Sequence, residues 1–306
     1  MAPTEVPDQA VRALLHRWFP GEAVTFTRMT SGGSTPVYRV EREAQVAYLR
    51  LAEHPGEVRG GEVRAHELAI RAGMHVPEIV RWEADPPEID RSAALTAAMP
   101  GILLGEYSGD VLPAAIEAGR QLARLNAIPV TGWGWVDHAR DDGGLVAEHT
   151  ARSTWAGEYL AAVETVAGSA VLPSISVPPL RDAVTRWANR TAGAQSFLAH
   201  GDFDGSHIHV DAITGDYQGI IDLGEIRGAD RAYDLGHALI HHRPERLIAQ
   251  GMIAGYRETV PVDDGEIRLQ AIAIATRALA INIGREPNAY RAMLADRLAQ
   301  SLVVSG

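Results

Sequence analysis

The chain has no cysteine. Disulfides, thiolate zinc sites and cysteine nucleophiles are therefore excluded, and any metal must be held by oxygen or imidazole. Lysine is missing as well, so all 28 basic residues are arginine. A phosphate clamp on this chain has to be guanidinium, which grips phosphate oxygens in a bidentate fork. No uninterrupted apolar run reaches membrane-spanning length, and the start, MAPTEVPDQAVRALL, has neither a basic segment nor a sustained apolar core. These absences predict a cytoplasmic protein with no membrane partner.

What remains is ordinary for a folded chain. Apolar residues make up 46% and charged residues 22%, which excludes disorder as the dominant state. At 306 residues there is room for one large α/β domain or for two lobes. The net charge of -11, with the arginines scattered, argues against a nucleic-acid partner and favours a cationic ligand.

Hydrophobic spacing predicts a short helix from Asp8 to Phe19, then strands in TFTRMTSGGSTPVYRVE and QVAYLRLAE around turns. EVRAHELAIRAG reads as a helix closed by Gly73, followed by the strand VPEIVRWE. Ala93 to Met99 is an apolar strand running into the Pro100-Gly101 break. Beyond it, helical periodicity dominates segments 113–127, 152–168, 179–192, 229–242, 244–259 and 264–281, and only HIHVDA and YQGIIDL read as strands. A β-rich first third before a helix-rich remainder predicts an α+β protein of two lobes, residues 1–98 and 99–306, with a cleft between them.

The chemistry concentrates in LAHGDFDGSHIHVDAITGDYQGIIDLGE, from Leu198 to Glu225. It gathers Asp202, Asp204, His207, Asp222 and Glu225 around two short apolar strands. Taken alone, Ile-Asp-Leu is also what a strand exit facing water looks like. Two such acids at the ends of one hairpin converge if the strands pair. Phosphoryl transfer needs that pair, one carboxylate to accept the proton of the attacking hydroxyl and one to hold Mg²⁺ against the phosphates.

These residues resemble a known family. HGDFDGSH followed by IDLGE is similar to the catalytic loop and metal motif of the aminoglycoside and macrolide phosphotransferases, antibiotic kinases with the bilobal protein-kinase-like fold. The similarity is most specific across residues 198–237. It implies that Asp202 takes the catalytic-base place and Asp222 that of the metal-binding aspartate. His207 takes the place usually held by a metal-binding asparagine, as in macrolide enzymes, and has three open roles: metal ligand, phosphate ligand or loop support. His200 precedes the loop, and Asp234 of GADRAYDLGHAL takes the place of a buried carboxylate bracing it from below. Arg50 of VAYLRLAE stands where kinases carry the phosphate-binding lysine, unless it is a solvent-facing strand arginine. Its ion-pair partner would be Glu62 or Glu67, and spacing favours Glu62.

Ser31, Gly32, Gly33 and Ser34 lie where the nucleotide-covering loop would be, although a plain hairpin turn reads the same way. Ala97, Ala98 and Met99 fall at the hinge, with Ala98 and Met99 placed to line a nucleotide pocket. Asp204 and Glu225 are the carboxylates expected to draw in the acceptor. The implied cofactors are ATP or GTP with Mg²⁺, and the implied partner is a small-molecule hydroxyl acceptor, an aminoglycoside before a macrolide. A metabolic sugar or amino alcohol is the alternative acceptor. The chain is expected to act as a monomer or weak dimer.

Two other classes fit parts of the pattern. His200, His207, His209, His237, His241 and His242 with Asp202 and Asp204 resemble a ligand set for a metal hydrolase, the H-x-H at 207 and 209 above all. A non-catalytic, nucleotide-binding pseudokinase fits the departures at Arg50 and His207, and retention of Asp202 and Asp222 argues against it.

Overall fold

The computed structural model describes residues 5–29, 35–140, 143–190, 195–241 and 246–303. Helix α1 (Asp8–Trp18) lies against a sheet built from β1 (Val24–Arg28), β2 (Val37–Arg42), β3 (Gln45–Leu51), β4 (Ile79–Glu83) and β5 (Ala93–Ala97). The order is β1-β2-β3-β5-β4, every neighbouring pair antiparallel. Alternation along β2 buries Tyr38 and Val40, which meet Leu14, Leu15 and Trp18 of α1 and Leu49, Leu51 and Leu95 of the central strands. Helix α2 (Gly60–Arg71) crosses over between β3 and β4.

After β5 the chain turns through Pro100 and Gly101 into a mainly helical lobe. Its helices are α3 (Leu112–Leu125), α4 (Arg152–Gly168), α5 (Val177–Asn189), α6 (Tyr233–His241), α7 (Arg246–Arg257), α8 (Asp264–Ile283) and α9 (Ala289–Val303). Among the described residues two small sheets run through it. One joins β7 (Pro129–Val130), β10 (Ser196–Ala199), β13 (Arg227–Ala229), β8 (Trp133–Val136) and β9 (Ala147–His149) in that order; the other is β12 (Tyr217–Ile220), β11 (Ile208–Val210), β6 (Ile102–Leu103). Helix α8 is capped by Asp263, whose carboxylate accepts from Gly265 N at 2.8 Å and Glu266 N at 3.3 Å. Among the described residues no helix is long and apolar enough to cross a membrane.

HIHVDA and YQGIIDL do form strands, and they pair with Ile208 opposite Ile220 and His209 opposite Gly219. The expectation that they are the only strands after the hinge is wrong. SFLA at 196–199 and Arg227-Gly228-Ala229 also pair, Phe197 opposite Ala229, so the helix expected from residue 229 starts at Tyr233. These pieces are too short and too evenly buried to show alternation, and pairing across the lobe decides them. Helix α9 is an addition to the expected helices. Its buried apolar stripe is Leu294, Leu298 and Leu302, too narrow a signal to separate it from a polar tail.

Candidate active site

The loop between β10 and β11 carries Asp202, and the loop after β12 carries Asp222. The pairing of β11 with β12 sets them side by side, and Ile221 N donates to the His207 carbonyl at 2.9 Å to close the junction. Gly201 makes the approach possible. It has a φ of +91°, and a Cβ there would lie 1.8 Å from the Glu225 carbonyl oxygen. Asp222 itself sits in the left-handed region at φ 65°, ψ 65°, a conformation a short polar residue tolerates and a branched one does not.

The loop is held from beneath. Asp234, fully buried at the first turn of α6, accepts the N–H of His200 at 3.0 Å and of Gly201 at 2.9 Å. Asn126 adds a third bond at 3.3 Å. His200, also fully buried, has Nε2 at 2.9 Å from the Ile221 carbonyl, tying the Asp202 loop to the residue before Asp222. Burial holds the His200 imidazole below its ordinary value, so it is a neutral link.

His207 lies between the two acids. Its Nε2 is 3.9 Å from Oδ2 of Asp202 and 3.9 Å from Oδ2 of Asp222, too long for hydrogen bonds. Partial burial pushes Asp202 up, but the His237 hydrogen bond at 3.2 Å and the surrounding imidazoles outweigh it and hold its carboxyl below the usual range. Asp222 is also lowered: burial opposes ionisation, and Arg50 and His207 overcome it. Both carboxylates are therefore anionic at neutral pH. Anionic oxygens flanking one imidazole, with no thiolate in the chain, fit a hard divalent cation. Oδ1 of Asp222 already faces Arg50 Nη2 at 2.6 Å, so an ion at Asp222 would use Oδ2 or displace the guanidinium.

Arg50 reaches this point from β3 and also contacts Glu62 of α2 at 2.8 Å. Glu67 is elsewhere, paired with Arg64 at 2.8 Å. Arg59, at the start of α2, was invisible in the sequence and completes the contact between lobes. It lies 3.3 Å from Glu62 and donates to the Gly224 carbonyl at 3.1 Å. Glu62 is buried between the two guanidiniums, which overcome the cost of its burial and keep it ionised.

At the hinge, Ala98 N donates to the Val46 carbonyl at 3.1 Å, so any nucleotide contact from Ala98 is through its carbonyl. The Met99 thioether occupies the space that a side chain on Gly219 would fill, so it lies on β12 beside the hinge. Ser31, Gly32, Gly33 and Ser34 lie outside the described residues.

Asp202 and Glu225 open onto a cavity of about 220 Å³ in the helical lobe. Trp135, Tyr159, Tyr233 and Tyr290 give it an aromatic lining, and Ile274, Ala278 and Ile281 add an apolar strip of α8. Arg227 and Arg277 contribute cations. Arg227 is buried 4.0 Å from the Trp135 ring and 3.4 Å from the Glu225 carboxylate, and Arg277 pairs with Glu158 at 2.8 Å. Partial burial raises Glu225, and Arg227 pulls against it. Asp204 is not in this wall. It accepts from Ser206 N at 2.7 Å, an Asx turn that shapes its own loop, so its expected acceptor role has no geometry behind it here.

The histidine set does not assemble as a metal hydrolase requires. His209 Nδ1 is 3.0 Å from the Pro100 carbonyl at the hinge. His241 turns to Tyr290 Oη at 2.9 Å, and His242 lies outside the described residues. Among the described residues, the group of three such side chains close enough to share an ion is Glu148, His149 and Glu158, whereas the loop acids stand wider apart on either side of His207.

Residues 25–268 match the family model described as "Phosphotransferase enzyme family". The match spans most of the chain, and the chain belongs to that family. It is a phosphotransferase, a small-molecule kinase, as Asp202 and Asp222 at one strand junction lead one to expect. No curated protein sequence matches it. Among solved structures, an aminoglycoside phosphotransferase APH(4)-Ia variant in ternary complex with ADP and hygromycin B is 15% identical. It aligns over 97% of this chain and 99% of that one with a TM-score of 0.71. The macrolide 2'-phosphotransferase MphH from Brachybacterium faecium is 18% identical over 95% and 96%, TM-score 0.61. An aminoglycoside-3'-phosphotransferase of type VIII is 21% identical over 87% and 97%, TM-score 0.53. At these identities the likeness is one of fold, the bilobal kinase-like α+β architecture expected from the sequence.

Proposed function

We propose that this member of the phosphotransferase enzyme family moves the γ-phosphoryl group of ATP or GTP to a hydroxyl of a small molecule bound in the cavity beside Asp202. The observation that carries the proposal is the anionic Asp202 carboxylate at the cavity wall, with Asp222 across His207 from it. Asp202 orients the acceptor hydroxyl and accepts its proton. Arg50, fixed by Glu62, turns to the phosphates, and the backbone near Ala98 and Met99 meets the base. Asp222, with His207 beside it, would hold Mg²⁺, whose charge offsets that on the phosphate oxygens. In this reading residues 1–98 serve the nucleotide and residues 99–306 the acceptor.

If His207 stands in for an amide ligand, His207→Asn keeps a sizeable part of the activity and His207→Ala loses most of it, because an amide supplies an oxygen and alanine cannot. Steady-state rates of the two variants measure this. Equal, severe losses mean that imidazole itself is required.

The proposed acceptor is a hydroxyl-rich antibiotic. The neighbour holding ADP and hygromycin B and the chain's acidic total support an aminoglycoside first. One observation favours a bulky, apolar, singly charged acceptor of the macrolide kind. The cavity itself is balanced, Asp202 and Glu225 against Arg227 and Arg277, and its remaining wall is aromatic and apolar. Salt separates the two. Binding of a polycation weakens markedly between low and physiological ionic strength, where the Debye length shortens to about 8 Å. Apolar burial is nearly insensitive to that change. If no antibiotic of either class drives triphosphate consumption above background in a coupled assay, a metabolic sugar or amino-alcohol acceptor replaces this reading.

A further inference from the structure

Helix α6 fixes more of the catalytic loop than its backbone. Asp234, His237 and His241 are spaced three and four residues apart, so they share one face of the helix, turned towards residues 200–203. Asp234 holds the N–H groups of His200 and Gly201. One turn further, His237 Nε2 lies 3.2 Å from Oδ1 of Asp202. A carboxylate oxygen only accepts, so Nε2 carries the proton and donates.

His237 is only 6% exposed, and its ring is boxed in on both sides. Nδ1 is 3.4 Å from the Phe203 carbonyl. The His241 ring stacks on it at 4.0 Å between centroids, with 26° between planes. His241 is in turn anchored by its Nδ1 at 3.0 Å from the His237 carbonyl and by Tyr290 Oη at 2.9 Å. Burial lowers His241 to about 4, with His237 acting in the same direction, so it is neutral and adds no repelling charge to the stack. A phenylalanine would fill this space as well as an imidazole, so packing alone does not explain a hydrogen-bonding ring aimed at the catalytic carboxylate.

We propose that His237 is a positioning residue: its Nε2–H holds Oδ1 of Asp202, fixes the rotation of the carboxylate and leaves Oδ2 for the acceptor hydroxyl. The proposal rests on the reading of Asp202 as the proton acceptor. An unheld carboxylate side chain, about half exposed at the cavity, samples rotations in which neither oxygen faces the hydroxyl, and small misplacements of a reacting group are costly.

The test compares His237→Phe, His237→Gln, Asp202→Asn and the double variant Asp202→Asn with His237→Phe, each first checked for a cooperative thermal melt. Glutamine places an amide N–H near the position of Nε2 and serves as the second variant should phenylalanine impair folding. His237→Phe is expected to lower kcat on the order of 10- to 100-fold, the size seen when a supporting hydrogen bond to a functional ligand is removed. Nucleotide affinity by calorimetry is expected to stay unchanged. His237→Gln should recover most of the loss, and the double variant should be no slower than Asp202→Asn alone, because the two residues act as a unit. A wild-type kcat in His237→Phe, equal losses in Phe and Gln, or additive losses in the double variant would each overturn the positioning role. Wild-type turnover in Asp202→Asn is a different failure, that of the proton-acceptor reading itself.

Discussion

Replacing Asp202 with asparagine is expected to lower the turnover number about 10²- to 10⁴-fold while leaving Mg²⁺–nucleotide affinity near that of the wild type. The structure makes this substitution unusually clean. The asparagine carbonyl oxygen can still accept from His237 Nε2, now 3.2 Å from Oδ1, and Asp234 still holds the loop through His200 and Gly201. What is lost is the capacity to take a proton. The wild-type carboxyl is held below the usual carboxylate range, so Asp202 is fully ionised across neutral pH. No fall in kcat between neutral and mildly acidic pH should therefore trace to this group. Single-turnover rates with saturating acceptor check the first expectation. Wild-type rates in the variant would remove Asp202 from the chemistry.

Asp222→Ala is expected to fail differently. It removes the anionic group facing His207, so nucleotide affinity should lose its dependence on Mg²⁺, and turnover should fall on the order of 10³-fold or more, as when a charge-stabilising group is deleted from a reacting site. The fold should survive. Arg50 keeps Glu62 at 2.8 Å after its 2.6 Å contact with Asp222 is gone, so no guanidinium is left buried without a counter-charge. Calorimetric titration of nucleotide with and without Mg²⁺ reads the effect. An unchanged Mg²⁺ dependence places the metal elsewhere.

These two carboxylates were legible in the sequence for a physical reason. Loop, strand, turn, strand and loop are contiguous from Leu198 to Glu225, so local pairing of β11 with β12 suffices to bring Asp202 and Asp222 together. Asp234 was legible because it opens a helix directly after that unit. The cavity beside Asp202 was not, because its wall is collected by packing. Trp135, Tyr159, Tyr233 and Tyr290 come from β8, α4, α6 and α9, and nothing within its own segment marks any of them as part of one wall. Arg59 reads as one more surface arginine until α2 docks on Gly224. His237 and His241 stood out in the sequence only as members of a possible metal-hydrolase ligand set. The helix instead gives one to Asp202 and the other to Tyr290. The missed strands β10 and β13 follow the same rule, since three or four largely buried residues have no period to read.

For the acceptor, the charge of the whole chain and the make-up of the cavity differ. A net charge of -11 describes the whole chain, whereas the cavity proposed to meet the acceptor is lined by two arginines as well as two carboxylates. Long-range attraction and local fit can therefore favour different ligands.

The most direct measurement is the mass of the acceptor after incubation with the purified protein, Mg²⁺ and ATP or GTP across a panel of hydroxyl-bearing antibiotics, sugars and amino alcohols. An acceptor carrying one added phosphate is expected with the wild type, and little or none with Asp202→Asn over the same interval. Triphosphate consumed at equal rates by both proteins, with no phosphorylated acceptor in either, would contradict it.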